Sequence, residues 1–328
     1  MPNESTPASG LRPVDRLEVI SLIDNIVDLQ SEVSAGVLRF WQWVPQPRRA
    51  AVPWAEHGFA ALVRVYEGDT AHTILFDTGA GPMTAVLNAR RLLIELSTVE
   101  AIAISHGHPD HFGGLLGVLQ AIGQPAVPVF VHEHAFRVRG SRQPDGTVQR
   151  EPPLPDATAL GQAGGVVHLV KGPLLLADNL VLLTGEIPRH TDFEPGRPNQ
   201  MFLAGNDWQP DPLLLDDQAL IVHVRGMGLV VVTGCAHAGI INTARYAQKL
   251  IPTAPVNVLI GGFHLIGPQA AWRVERTAIE LAALGLGRVV PSHCTGSLGS
   301  RTIAAALPDA FVPASVGNLY RFPAENQL

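Results

Sequence analysis

His106-Gly107-His108-Pro109-Asp110-His111 places three imidazoles and one carboxylate within six residues, immediately after a short apolar run at 101–105. That run reads as a buried strand. On an extended segment, residues i and i+2 share a face, so His106 and His108 can grip one ion together. Asp110 and His111 follow where the chain turns into a helix, and they reach the same cavity from its rim. Gly107 keeps the backbone slim, and Gly113-Gly114 permits a tight turn. A mixed N/O donor set of this kind suits Zn2+, as one or two ions, with Mn or Fe as alternatives. With 13 His in 328 residues, a random HxHxDH arises in roughly one such chain in a thousand. The run therefore constrains the fold: donors from distant strand ends have to converge with it on one open hollow.

The rest of the composition permits this. Hydrophobic residues make up 46% of the chain, enough for a sizeable core. Charged residues are only 16%, the net charge is −6, and no Lys/Arg stripe appears, which argues against nucleic acid as substrate or partner. The two cysteines, Cys235 and Cys294, are too few for a disulfide framework, and each sits beside histidines. The first residues are polar, with no apolar leader core. The longest apolar runs fall short of the ~20 residues a membrane helix needs. The expectation is a cytoplasmic protein with a small-molecule substrate, no membrane partner and an unassigned oligomeric state.

Hydrophobic periodicity and turn chemistry divide the chain as follows. Residues 1–14 read as a disordered tail and 15–328 as one domain. Strands are expected at 17–29, 58–66, 72–76, 101–105, 127–132, 180–184, 219–225, 229–233, 256–260 and 288–291. Helices are expected at 83–96, 112–122, 240–250 and 269–284. Three stretches without periodicity, near 39–56, 137–164 and 186–217, read as lid loops, the first with Trp41, Trp43 and Trp54. Hairpins followed by alternating strands and helices, in both halves, point to an α+β protein. Its architecture is a four-layer αββα sandwich, two mixed β-sheets flanked by helices.

These motifs resemble those of the metallo-β-lactamase superfamily, which places HxHxDH after a buried strand. Phe76-Asp77-Thr78-Gly79 looks like the superfamily's first motif. Further pieces resemble the subfamily of 7,8-dihydropterin-6-methyl-4-(β-D-ribofuranosyl)aminobenzene-5′-phosphate synthase. They are Asp24-Asn25, Glu56-His57-Gly58, Thr184-Gly185-Glu186-Ile187-Pro188-Arg189, Thr233-Gly234-Cys235-Ala236-His237, Gly261-Gly262-Phe263-His264 and Pro291-Ser292-His293-Cys294.

The resemblance implies His106 and His108 on a first metal ion, with His237 as its third ligand. It implies Asp110, His111 and His293 on a second ion. Asp77 becomes a carboxylate that orients the loop histidines. The chain departs from the family where many members carry a bridging Asp after a Thr-Gly turn, because Cys235 stands there. Cys235 is either a thiolate ligand or a small buried residue, and His264 is either a ligand or a substrate contact. Asp110, His264 and His57 are the candidate catalytic groups. Cys294 is expected to face the far side of its strand. Arg189 and Arg197 read as solvated loop charges. His132 and His134 have pair-like spacing but no companion Asp-His.

The function expected is a metal-dependent hydrolase that turns a metal-bound hydroxide on a small organic ester, lactone or phosphoester. A pterin-type synthase or transferase is the first alternative. A di-iron redox protein is the second, disfavoured because only about 30 residues follow His293, too few for a flavin domain. A structural zinc module is disfavoured because such sites are closed and Cys-rich.

Overall fold

The computed structural model describes residues 10–30, 36–45, 52–267 and 270–323. Two sheets face each other. The first has eight strands, in the order Val37–Leu38, Leu319–Pro323, Arg16–Ile23, Ala60–Glu67, Thr70–Phe76, Ala101–Ala103, Val127–Val131, Gly165–Leu169. The second has six, in the order Leu174–Leu176, Val181–Leu183, Ala219–Val224, Gly228–Thr233, Val256–Gly262, Arg288–Ser292. Each begins with antiparallel pairs and turns parallel, from Thr70–Phe76 onward in the first and from Gly228–Thr233 onward in the second. Both sheets are therefore mixed.

Burial explains the layering. Arg16–Ile23 is buried along nearly its whole length, because it has apolar neighbours on both faces. Leu17, Val19, Val63 and Phe76 pack inward against Leu183, Val222, Val232 and Ile260 of the other sheet. Leu22, Leu62 and Ile102 pack outward against Ala85, Ala89 and Leu119 of the helices Thr84–Arg91 and Leu115–Ile122. Leu229, Val231 and Leu259 do the same against Ile241, Val274 and Ile303 of Ile240–Leu250, Ala270–Ala283 and Gly296–Ala306. This is the αββα sandwich.

Several local expectations need correction. The opening strand stops at Ile23, where Asp24-Asn25 turns the chain. The expected tail lies partly outside the described residues, but Val14 is buried and bridges Val224. The stretch 39–56 contains a one-turn helix, Phe40–Trp43, and its residues 46–51 lie outside the described ones. The helix expected at 83–96 ends at Arg91. The two other expected lids contain regular structure as well as loop. Arg139–Arg142, Val148–Arg150, Gln200–Ala204 and Asp207–Pro210 form a third, antiparallel sheet of four strands, and Ala157–Gln162 is helical. These strands are short and mostly solvated, so they lack the apolar alternation that would reveal them in sequence.

Candidate metal centre

The chemistry-bearing residues sit just past the carboxyl ends of strands, where open sheets place their ligands. Asp77 follows Thr70–Phe76, and the histidine run follows Ala101–Ala103. Cys235 and His237 follow Gly228–Thr233, His264 follows Val256–Gly262, and His293 follows Arg288–Ser292. Four non-glycine residues here have left-handed backbones: Asp77 (φ 62°), Ala236 (φ 50°), His264 (φ 44°) and His293 (φ 45°). Strain of this kind persists only where surrounding contacts hold it, and it clusters at functional sites. Two glycines are required by space. A Cβ on Gly107 would meet the Ala135 carbonyl and Arg139, and one on Gly234 would meet Ser105 Oγ and Asp77 Oδ2.

Three imidazole nitrogens converge. His106 Nε2 lies 2.8 Å from His108 Nδ1, which lies 3.1 Å from His237 Nε2. All three residues are buried. Burial, reinforced by cationic neighbours, pushes each far below the ordinary histidine pKa, so each is neutral with a lone pair. Such lone pairs repel one another unless a cation sits between them. The outer nitrogens show which atoms are free to ligate. Ser105 Oγ lies 2.9 Å from His106 Nδ1, and Gln200 Oε1 lies 3.2 Å from His108 Nε2. With its proton donated to Ser105, His106 faces the cluster with a bare Nε2, whereas His108 Nε2 lies between the Gln200 acceptor and the Arg197 Nη1 donor at 3.0 Å.

A second cluster adjoins it. Asp110 Oδ2 lies 3.2 Å from His293 Nε2, 3.4 Å from His57 Nε2 and 3.8 Å from His111 Nε2. Cys235 Sγ lies 3.1 Å from His111 Nε2. His293 Nε2 is buried against the Asp110 carboxylate, while His293 Nδ1 faces Asn25 Oδ1 at 2.9 Å. Burial opposes the charge of Asp110, but His111, His293 and His57 outweigh it and hold its pKa far below the carboxylate range. Burial also opposes protonation of His111, yet the carboxylates of Asp77 and Asp110 raise its pKa to about 9. A carboxylate-rich environment that attracts a proton this strongly attracts a divalent cation equally well. Asp24 Oδ1 braces the cluster from below by accepting from the backbone N–H groups of Asn25 (2.6 Å) and His293 (2.9 Å).

The structure therefore brings His106, His108 and His237 within ligand reach of one another, and beside them the overlapping groups of His106, His111 and Cys235 and of His57, Asp110 and His293. Asp77 Oδ2 receives His111 Nδ1 and the Ser105 hydroxyl, both at 2.7 Å, and Asp77 Oδ1 receives the Ser105 N–H at 2.7 Å. His264 stacks at 4.3 Å from the His237 ring, within ligand reach of Cys235 and His237. Cys294 corrects its expectation. Its Sγ faces inward, 3.7 Å from the Cys235 carbonyl and grouped with Cys235 and His293, because the left-handed His293 turns the chain under the site.

Arg189 and Arg197 are not solvated either. Arg189 Nη1 donates to the His237 carbonyl at 2.7 Å and its Nη2 to the Leu213 carbonyl. Arg197 Nη1 lies 3.0 Å from His108 Nε2. His132 pairs with Glu186 at 3.2 Å, away from both clusters. Trp41 and Trp54 are exposed, and Trp43 donates to the Gly317 carbonyl at 3.0 Å.

Sequence reasoning missed the supports supplied by the third sheet. Arg139 is fully buried and clamps Asp216 through two hydrogen bonds (2.6 and 2.8 Å), and Asp216 accepts the Gly107 N–H at 2.7 Å. The guanidinium more than offsets burial and keeps Asp216 ionised, with a pKa of about 2. This ion pair fixes the backbone between His106 and His108. The one available signal was Asp216-Asp217 inside an otherwise apolar run.

The family model for the metallo-beta-lactamase superfamily matches residues 55–293. The chain belongs to that superfamily. A curated relative from Methanocaldococcus jannaschii, 7,8-dihydropterin-6-methyl-4-(beta-D-ribofuranosyl)-aminobenzene-5'-phosphate synthase, is 28% identical over 82% of this chain and 91% of its own length. An uncharacterized protein of the same archaeon is 29% identical over 74% of this chain and 85% of its own. A solved metal-dependent hydrolase of the beta-lactamase superfamily superposes with a TM-score of 0.69 at 23% identity, over 94% of this chain and 99% of the other. That likeness identifies the same fold. Among the described residues, no helix is long and apolar enough to cross a membrane.

Proposed function

We propose that this superfamily member is a hydrolase of a small organic ester, lactone or phosphoester, working with one or two zinc ions. The observation that carries this reading is the pair of adjacent donor clusters, one of three neutral imidazoles and one open to solvent at Asp110 and His57. The donors fit a divalent ion: neutral imidazole nitrogens face one another at 2.8 and 3.1 Å, and His293 Nε2 is buried with the Asp110 carboxylate beside it at 3.2 Å. Such an ion supplies Lewis acidity and an acidified water. His106, His108 and His237 would hold the first ion. Asp110, His111, His293 and Cys235 would hold the second, and the thiolate favours zinc over a harder cation.

The chain's own groups do the rest. Asp77 and Ser105 keep ring protons on the His111 and His106 nitrogens that point away from the clusters. His57 stands at the mouth, with its pKa raised chiefly by the hydrogen bond to Asp110 against partial burial. Its Nε2 is placed to hand a proton to a leaving group. The two buried free thiols suit a reducing, cytoplasmic compartment. Zinc titration into chelated protein, followed on a panel of esters, lactones and phosphodiesters, is the test. Activity that rises with metal occupancy supports the proposal, and full activity in the chelated protein contradicts it.

A second reading is a pterin-type synthase, favoured by the match along 91% of the archaeal synthase. There the ions would stabilise the leaving diphosphate and the pocket would exclude water. Incubation with a pterin diphosphate and an aminobenzene riboside separates the two: joined product supports the synthase, and hydrolysis alone supports the hydrolase.

A further inference from the structure

Beside the two clusters lies a small pocket, lined by Glu194, His237, Phe263, His264, Arg273 and Thr277 among others. Four polar atoms of these residues are buried without a hydrogen-bond partner: His237 Nδ1, His264 Nδ1, Arg273 Nε and Thr277 Oγ1. Buried polar groups are nearly always paired, so four unpaired atoms on residues of one pocket call for a ligand or ordered water.

Their chemistry is donor-rich. His237 turns Nε2 to the imidazole cluster, so its proton resides on Nδ1. Arg273 Nε–H donates only, and Thr277 Oγ1–H can donate. Arg273 spends Nη2 on the carbonyls of His264 (2.8 Å) and Ile266 (2.7 Å), neutral groups, and the nearby Glu194 carboxylate favours its charged form without a direct hydrogen bond to it. Glu194 does not compete. Its Oε1 accepts the Ile241 N–H (2.9 Å), and its Oε2 accepts the Asn242 N–H (3.0 Å) and the Thr191 hydroxyl (2.8 Å).

We infer that this pocket is an oxyanion subsite: Arg273, Thr277 and His237 Nδ1 receive a carboxylate or phosphate oxygen of the substrate, held beside the reacting group. Naming the ligand as substrate rests on the proposed hydrolase reading, whereas the anion site stands on its own geometry. The subsite also reaches the reacting centre, because Arg273 holds the carbonyls on either side of the His264 turn.

The test uses the metal-loaded full chain and the near-isosteric variant Thr277→Val, checked for unchanged metal content. Inorganic phosphate and acetate are titrated separately at constant ionic strength, which tells a phosphate site from a carboxylate site. Crystals soaked in arsenate are read at the arsenic edge. Loss of a hydrogen bond to an anion predicts about ten-fold weaker binding of the preferred anion by the variant. The arsenic peak is expected between Arg273 and Thr277. Arsenic found only on the metal ions, or a pocket holding water only, with both anions bound equally by variant and wild type, overturns the inference. Metal-edge data from the same crystals judge the hydrolase reading separately: a missing ion would sink that reading and leave the arsenic result standing.

Discussion

The two donor clusters differ in how they are made. The first consists of three imidazoles, all buried and neutral, with outer nitrogens or neighbouring backbone held by Ser105, Gln200 and the Arg139–Asp216 clamp. The second mixes a carboxylate, two imidazoles and a thiol, and it meets solvent through Asp110 and His57. The first is preorganised and closed, as a site that holds its ion permanently needs to be. The second is held by charge and left accessible, as a site that exchanges water and substrate needs to be.

This contrast can be broken at either cluster. His106→Ala removes a donor that nothing nearby replaces. It should empty the first site and lower kcat/KM by about 10³-fold or more, measured on any substrate the wild type hydrolyses, with metal content read in parallel. Asp110→Asn keeps the shape but removes the charge that holds the second cluster together. Metal stoichiometry should fall from two to one, with the first ion retained and activity down by about 10²-fold. Loss of both ions in this variant would show that the clusters are not independent.

Smaller changes sharpen the comparison. Gln200→Ala removes the acceptor for His108 Nε2 while leaving every ligand in place. Competition with a chromogenic chelator should show metal affinity at the first site weakened by about 10–100-fold. Asp24 tests the second cluster through pH. In the metal-free protein, burial raises its pKa to about 6 from 3.8, so the folded state retains the proton that the unfolded state has lost. The contribution of Asp24 to stability is then greatest below pH 4 and is lost as pH rises through 6. Asp24→Asn keeps the Oδ1 acceptor without the charge. Relative to the wild type, it should gain on the order of 2–3 kcal/mol between pH 4 and 7 in chelated protein, by denaturant titration. A constant difference across that range would contradict the assigned burial cost.

Legibility in the sequence follows the same divide. The 106–111 run was readable because its donors are local, and the αββα layering was readable because its strands are apolar and regular. His237, His264 and His293 were readable as ends of apolar strands. The third sheet was not, because its strands are short and mostly solvated, and Arg139-Gly140-Ser141-Arg142 has polar residues on both faces. Gln200, Arg139 and Asp216 were hidden with it, since each acts through a contact of 77 to 109 residues' separation or one of similar length. The strand Leu319–Pro323 was missed because its partner, Arg16–Ile23, lies at the opposite end of the chain. Positive backbone angles at Asp77, His264 and His293 leave no mark in residue type.

The central claim is that these two clusters hold metal, and anomalous diffraction from the zinc-loaded protein, collected on either side of the zinc edge, tests it most directly. The account predicts one peak bounded by His106 Nε2, His108 Nδ1 and His237 Nε2, and a second among Asp110, His111, Cys235 and His293. A strong peak elsewhere, with nothing among the three imidazoles, would contradict it.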